Sequence, residues 1–114
     1  MANVFVNKKV DLTSNDSATT LYTVPSATTA IIKSIIVSDD SGSGSTITIT
    51  LTNTSSAVFS IAHQKQIPAN EVVQILTQPL VVETGEIIKV TPADTNRLHV
   101  ILSAMQVTPR TVVS

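Results

Sequence analysis

Apolar and polar residues alternate along residues 45–52, and this alternation restricts the fold more than any other feature of the chain. In the segment STITITLT, Ile47, Ile49 and Leu51 occupy every second position and threonines lie between them. Successive side chains of a β-strand point to opposite faces of a sheet, so the pattern predicts a strand with one buried face. No comparable stretch has the spacing of an amphipathic helix, and we therefore predict an all-β fold.

Eight further segments share this β-prone composition, and turn-forming residues separate them. Val, Ile and Thr are restricted about χ1 and fit a pleated sheet better than a helix. Pro, Gly, Asn and Asp at the breaks favour turns. The predicted strands are Val4–Lys9, Thr19–Val24, Ala30–Ser38, Ser45–Thr52, Ala57–Gln64, Glu71–Thr77, Leu80–Glu83, Glu86–Val90 and Leu98–Val107. They predict a two-sheet antiparallel sandwich of eight or nine short strands, with either jelly-roll or immunoglobulin-like topology.

One segment, Ile31 to Val37 (IIKSIIV), departs from simple alternation because it is apolar at both odd and even positions. A strand that is apolar on both faces is typical of the centre of a sheet, or of a strand whose outer face contacts another subunit. We therefore take Ile32 and Ile36 as candidate interface residues.

The composition combines few charges with a high apolar content. Charged residues make up 13% of the chain, hydrophobic residues 42% and aromatic residues 3%, and the net charge is -1. A typical domain has about 25% charged residues. The dispersed Lys and Arg residues and the scarcity of aromatic rings argue against a nucleic-acid partner. We expect a homo-oligomer, such as a trimer, in which neighbouring subunits cover the remaining apolar surface.

The chain has the length of one domain, and both of its ends are expected to be accessory segments. We divide it into an N-terminal arm plus first strand (1–18), a β-sandwich domain (19–108) and a C-terminal tail (109–114). The start lacks the apolar stretch of a signal peptide, and no apolar run is long enough to cross a bilayer. We therefore expect synthesis in the cytoplasm and no membrane partner.

Both terminal segments contain short β-prone pieces that could add a strand to the sheet edge of a neighbouring molecule. The candidate contact residues in these segments are Val4, Phe5, Val6, Val112 and Val113. For the C-terminal piece, Thr111–Val113, a frayed tail remains the alternative to an arm.

Residues that carry catalysis or bind cofactors are scarce. His63 and His99 lie in strand segments, where solvated or partly buried histidines are expected more often than catalytic bases. The absence of Cys excludes disulfides and thiolate metal sites, and three glycines cannot form a phosphate-binding loop motif. We interpret Asp39–Ser45 as a Ser/Gly hairpin loop with solubilising acids, since it lacks the ligand spacing of a calcium loop. We predict no catalytic, cofactor or metal site and no enzyme activity.

The order of several segments resembles that of known viral proteins. These segments are Asn3–Phe5, Ala18–Pro25, Ala30–Ser38, Ile67–Glu71, Leu80–Val90 and Leu98–Thr108. Together they cover most of residues 3–108, and in this order they resemble small virion structural proteins of tailed bacteriophages. The resemblance implies a β-sandwich without catalytic residues that decorates a capsid or forms part of a tail or neck.

Taken with the low charge and the apolar surface, the resemblance favours a capsid decoration (cement) protein. Such a protein would clamp neighbouring capsomers from outside the shell, with the major capsid protein and copies of itself as partners. A tail, neck, baseplate or fibre subunit of the virion is the alternative. A receptor- or glycan-binding module is a third interpretation, which the near absence of aromatic residues disfavours. We expect the protein in the virion, on the capsid surface or alternatively in the tail.

Overall fold

The computed structural model describes residues 2–13, 18–39, 41–94 and 96–108, and every regular element in these ranges is a β-strand. The strands are β1 (Ala2–Asp11), β2 (Thr19–Thr23), β3 (Thr29–Asp39), β4 (Ser45–Thr52), β5 (Val58–Ile67), β6 (Val72–Gln74), β7 (Leu80–Val82), β8 (Ile87–Pro92) and β9 (Leu98–Thr108). Each overlaps a predicted segment, so the all-β prediction is confirmed. These ranges hold no helix that is long and apolar enough to span a membrane.

The nine strands form two antiparallel sheets that enclose the core. Sheet I has the order β1-β9-β3, and β6 and β7 pair with successive parts of β3 at its far edge. Sheet II has the order β2-β8-β4-β5. The first strand thus pairs with the last, β2 with β8, β3 with β6 and β7, and β4 with β5. A long hairpin wound in this way into two sheets is a jelly roll, which decides between the two predicted topologies.

The core between the sheets consists mainly of aliphatic side chains. In β4, Ile47 and Ile49 are buried while the threonines between them, such as Thr48, lie on the outward face, as the alternation predicts. A polar contact joins the two sheets: the Nε2 atom of Gln106 in β9 donates a hydrogen bond of 2.7 Å to the hydroxyl of Tyr22 in β2. The buried Tyr22 hydroxyl therefore has a partner, which avoids the cost of an unsatisfied polar group.

A β-bulge in β3 explains why the Ile31–Val37 segment does not alternate. The register of β3 against β9 shifts between Ile32 and Ser34, where one extra residue is accommodated. Before the extra residue the odd-numbered side chains face outward, and after it the even-numbered ones do. Ile31 and Ile36 therefore both lie half-buried on the outward face. Ile32 is fully buried in the core. The prediction of Ile32 as an interface residue is therefore wrong, because its side chain is enclosed between the sheets.

The N-terminal segment lies in sheet I for most of its length. All ten residues of β1 pair with β9, from Ala2 opposite Thr108 to Asp11 opposite His99. Leu12 follows directly and is buried in the core, and its N–H donates to the carbonyl of Leu98 at 3.1 Å. The structure thus places residues 2–11 in an edge strand of the sandwich, while the predicted tail at residues 109–114 lies outside the described residues.

Candidate functional site

The outward faces of the two sheets differ in chemistry. The outward face of sheet II carries alternate residues of β4 and β8, which are mostly Thr together with Ile87 and Lys89, and β5 adds the exposed Val58 opposite Thr52. Most of this face is polar and well hydrated. The outward face of sheet I carries large aliphatic and aromatic side chains instead. The candidate functional surface of this chain is therefore on sheet I.

Four apolar side chains lie side by side across sheet I. The strand registers place Val81 of β7 opposite Ile31 of β3, Ile31 opposite Met105 of β9, and Met105 opposite Phe5 of β1. Residues directly opposite on one face have Cβ atoms about 5 Å apart, so these side chains form a continuous row. Phe5 is 75% exposed and Val81 is 59% exposed, at the two ends of the row. We call these four residues the apolar row.

A second, weaker row crosses the same face four residue pairs further along the β1–β9 ladder. It contains Lys9, Ile101, Ile36 and Gln74 on successive strands. Small polar residues, including Ser103 opposite Asn7, separate it from the apolar row. Apolar strips with polar neighbours are typical of contact surfaces between proteins, which are apolar at their centre and polar at the rim.

The predicted contact residues fall into different environments. Val4 is 51% exposed and Phe5 is the most exposed large apolar residue among those described, whereas Val6 is half-buried and packs against the core. Ile36 lies half-buried on the outward face of sheet I. Val112 and Val113 lie outside the described residues.

Sequence reasoning missed Met105 of the apolar row. It did not name Ile31 or Val81 as contact residues, although both lie in segments that are apolar on both faces, Ile31–Val37 and Leu80–Val82. Each lies in a predicted strand, but only the pairing of four strands from distant parts of the chain places them beside Phe5. The sequence of β3 does indicate outward apolar residues. Apolar residues occupy both odd and even positions there, so some of them must face outward.

A row of Asp11, His99 and Ser38 lies near one end of the same face. Adjacent strands place these residues opposite one another, and the Nε2 atom of His99 lies 3.2 Å from Oδ1 of Asp11. The residue types are those of a serine hydrolase triad, which also needs N–H donors for an oxyanion. Around Ser38 and His99 the described backbone pairs with neighbouring strands on both sides, so these strands offer no such donors at this place. The row therefore lacks the geometry that stabilises an acyl-transfer transition state.

The buried carboxylate of Asp39 organises the loops at one end of the sandwich. Its Oδ1 atom accepts hydrogen bonds from the Ser41 hydroxyl at 2.6 Å and the Ser41 N–H at 3.0 Å. Its Oδ2 atom accepts from the N–H groups of Gly44 and Asn70, both at 3.0 Å. The hydrogen bond from the Ser41 hydroxyl, with help from the three N–H groups and against the effect of burial, holds the pKa of Asp39 well below its ordinary range.

Asp39 therefore fastens the β3–β4 loop to the β5–β6 loop and is not a solubilising acid, so that prediction is wrong for this residue. A neighbouring contact continues the network: Arg97 donates to the Gly44 carbonyl at 3.1 Å and lies 3.5 Å from the carboxylate of Asp94. Within the described ranges, no group of three His, Asp or Glu side chains is arranged to hold a metal ion. The arrangement gives this end of the molecule a fixed shape.

No protein-family model matches this chain, and no curated protein sequence matches it. The surface with the clearest functional character is the outward face of sheet I. Its chemistry suits association with another protein surface, because large apolar side chains lie together on one face of a hydrogen-bonded sheet.

Proposed function

We propose that the protein is a non-enzymatic structural subunit of a bacteriophage virion. In this proposal it is a capsid decoration (cement) protein, located on the capsid surface, that binds the outside of the shell and reinforces the contacts between capsomers. Its partners are the major capsid protein and copies of itself. The observation that carries the proposal is the apolar row of Phe5, Met105, Ile31 and Val81 on the outward face of sheet I.

The fold supports this proposal without deciding it. Jelly rolls occur in viral capsid domains, but also in lectins and in cupins. Lectin sites commonly stack aromatic rings on sugars, and this chain has only three aromatic residues. An exposed apolar row on a rigid sheet is suited to a protein partner instead, because its free-energy gain comes from removing apolar area from water.

The area of the outward face of sheet I limits the binding free energy that one copy can contribute. Four strands and three rows of side chains span roughly 400 Å², from a strand spacing of about 4.8 Å and about 6.8 Å for every second residue. At about 25 cal/mol per Å², complete burial of apolar atoms over that area would yield at most about 10 kcal/mol. Association costs about 4–15 kcal/mol, so a single site would be weak. Reinforcement of a shell would then depend on many copies acting together.

A binding experiment with shells of the major capsid protein tests the proposal. We expect the purified protein to co-sediment with shells that lack it and to reach saturation. The double variant Phe5→Gln/Val81→Gln should lose this binding, because both exposed ends of the apolar row become polar. The matched control is Thr50→Gln/Thr52→Gln on the outward face of sheet II, which should bind as the unmodified protein does. Equal binding by the two double variants would contradict the assigned surface.

Copy number in intact virions separates head from tail. A decoration protein should approach the copy number of the major capsid protein, measured by quantitative mass spectrometry of purified particles. A count of tens or fewer would reject the cement function in favour of a tail, neck, baseplate or fibre subunit. Absence of the protein from particles would reject both.

A further inference from the structure

The four sheet edges formed by the described residues are protected to different degrees. At the edge of sheet I opposite β1, β6 and β7 are three-residue strands separated by a loop containing Pro79. In sheet II, β2 has five residues and a bulge, and β5 has two register shifts against β4. Short strands, bulges and proline all hinder pairing with another chain. Strand β1 has none of these devices: its ten residues pair with β9 without a register shift.

None of the described residues pairs with the outer side of β1, so within the described ranges this side can accept a further strand. Every second residue of an edge strand turns its N–H and C=O groups away from its neighbour. Among the described residues, the backbone of β1 forms hydrogen bonds only within its ladder with β9. The first half of β1, residues 2–7, is uncharged, whereas Lys8 and Lys9 follow directly. The half that is free of charge is therefore the half suited to pairing.

We propose that two copies of this chain pair through β1, antiparallel and about a two-fold axis, with Phe5 opposite Phe5. In this register Val4 lies opposite Val6 of the other copy, and Asn3 lies opposite Asn7. The five-stranded sheets I of the two copies join into one continuous sheet. This pairing does not depend on the proposed function, since it needs no shell.

The side-chain pattern selects this register. The outward side chains of the two copies stay on the same face of the joined sheet only if the pairing shifts by two residues at a time. One step towards the N-terminus places Phe5 opposite Asn3, and one step towards the C-terminus places Val4 opposite Lys8. Later steps towards the C-terminus place Lys8 or Lys9 opposite its own copy. Like charges directly opposite are destabilising. The register centred on Phe5 pairs apolar with apolar residues, and it joins the two apolar rows end to end into a single row across both copies.

Cysteine substitution tests the register directly, because the natural chain contains no cysteine. In the proposed dimer the two copies of residue 5 are directly opposite, with Cα atoms about 4.5–5.5 Å apart, which is within reach of a disulfide. The two copies of residue 7 are about 14 Å apart along the strands. Mild oxidation should convert Phe5→Cys into a covalent dimer of twice 12.0 kDa and leave Asn7→Cys and Lys9→Cys monomeric. Stronger cross-linking of Asn7→Cys than of Phe5→Cys would overturn the register.

Sedimentation equilibrium of the unmodified protein tests the dimer itself. We expect the mass of a dimer at tens of micromolar protein, and at least a tenfold weaker dimer for Val4→Lys. The matched control is Val58→Lys, because Val4 and Val58 are both exposed valines on edge strands, at 51% and 62% exposure. A monomer at all concentrations, or equal weakening by both variants, would overturn the proposal. Shell binding by a monomeric protein would separate failure of this inference from failure of the proposed function.

Discussion

Two glycines of the β3–β4 loop provide a matched test of how this loop is held. Gly42 and Gly44 both have positive φ, +82° and +71°. A Cβ atom at Gly42 would meet only the side chain of Asn70, at 3.8 Å. A Cβ atom at Gly44 would lie 2.9 Å from the carbonyl oxygen of Ile67 and 3.3 Å from the N–H nitrogen of Ala69. Alanine is therefore strained at both positions but meets another backbone segment only at Gly44.

The expected magnitudes follow from these contacts. Left-handed backbone costs an alanine about 1–2 kcal/mol. Alanine also restricts the unfolded chain, which offsets about 0.4–1 kcal/mol of this cost. The free energy of unfolding should therefore fall by about 1 kcal/mol for Gly42→Ala. Displacing a close-packed backbone segment adds about 1–3 kcal/mol for Gly44→Ala, a total of about 2–4 kcal/mol. For a chain of this length, 1 kcal/mol corresponds to about 4 °C in Tm.

Thermal unfolding followed by far-UV circular dichroism measures the difference. We expect Tm to fall by roughly 4 °C for Gly42→Ala and by roughly 8–16 °C for Gly44→Ala. The two variants share loop, residue type and sign of φ, so the difference reports the contact with the β5–β6 loop. Equal losses would refute the reasoning, since the backbone conformation alone would then explain both.

Two further predictions concern the carboxylate network and the core. Because the pKa of Asp39 is lowered in the folded state, its stabilising contribution should be complete above about pH 4 and decline as the pH falls further. Urea unfolding between pH 5 and pH 2 should show a smaller loss of stability for Asp39→Asn than for the unmodified protein. If the free energy of unfolding fell equally with pH in both proteins, Asp39 would not be the source of the pH dependence. Ile32→Ala should lower the free energy of unfolding by about 2–5 kcal/mol, whereas Phe5→Ala should change it by less than about 1 kcal/mol in the monomer. Similar urea midpoints for these two variants would show that Ile32 is not enclosed as described.

The extent of the strands could be predicted well because it depends on local pattern. Strand β4 has the predicted bounds, Ser45 to Thr52, since its strict alternation leaves one choice of buried face. The two-sheet sandwich follows from the number and spacing of such segments. The sequence left jelly-roll and immunoglobulin-like topologies open, because strand order depends on pairing between residues far apart in the chain.

The candidate site was harder to predict because its residues become neighbours only through the pairing register of strands that are distant in the sequence. Phe5 was identified from its place in a short apolar segment, but Ile31 and Val81 join it only through the pairing of β1, β9, β3 and β7. Ile32 and Ile36 are four residues apart and would share one face of a regular strand. The bulge between them leaves Ile32 in the core and Ile36 on the outward face, and nothing in the local pattern locates the bulge. The role of Asp39 was missed because one of its donors, the N–H of Asn70, comes from a different loop.

The nesting of the strands has a consequence for the newly made chain. Partners of β1 in β9 lie about a hundred residues away, so at a synthesis rate of about 5–20 residues per second β1 waits roughly 5–20 s on the ribosome before its partner emerges. During that interval a neighbouring nascent chain could pair with the segment ANVFVN (residues 2–7), which is uncharged and has a β-prone centre. Lys8 and Lys9 follow this segment directly, in the position of gatekeeper residues that discourage such capture.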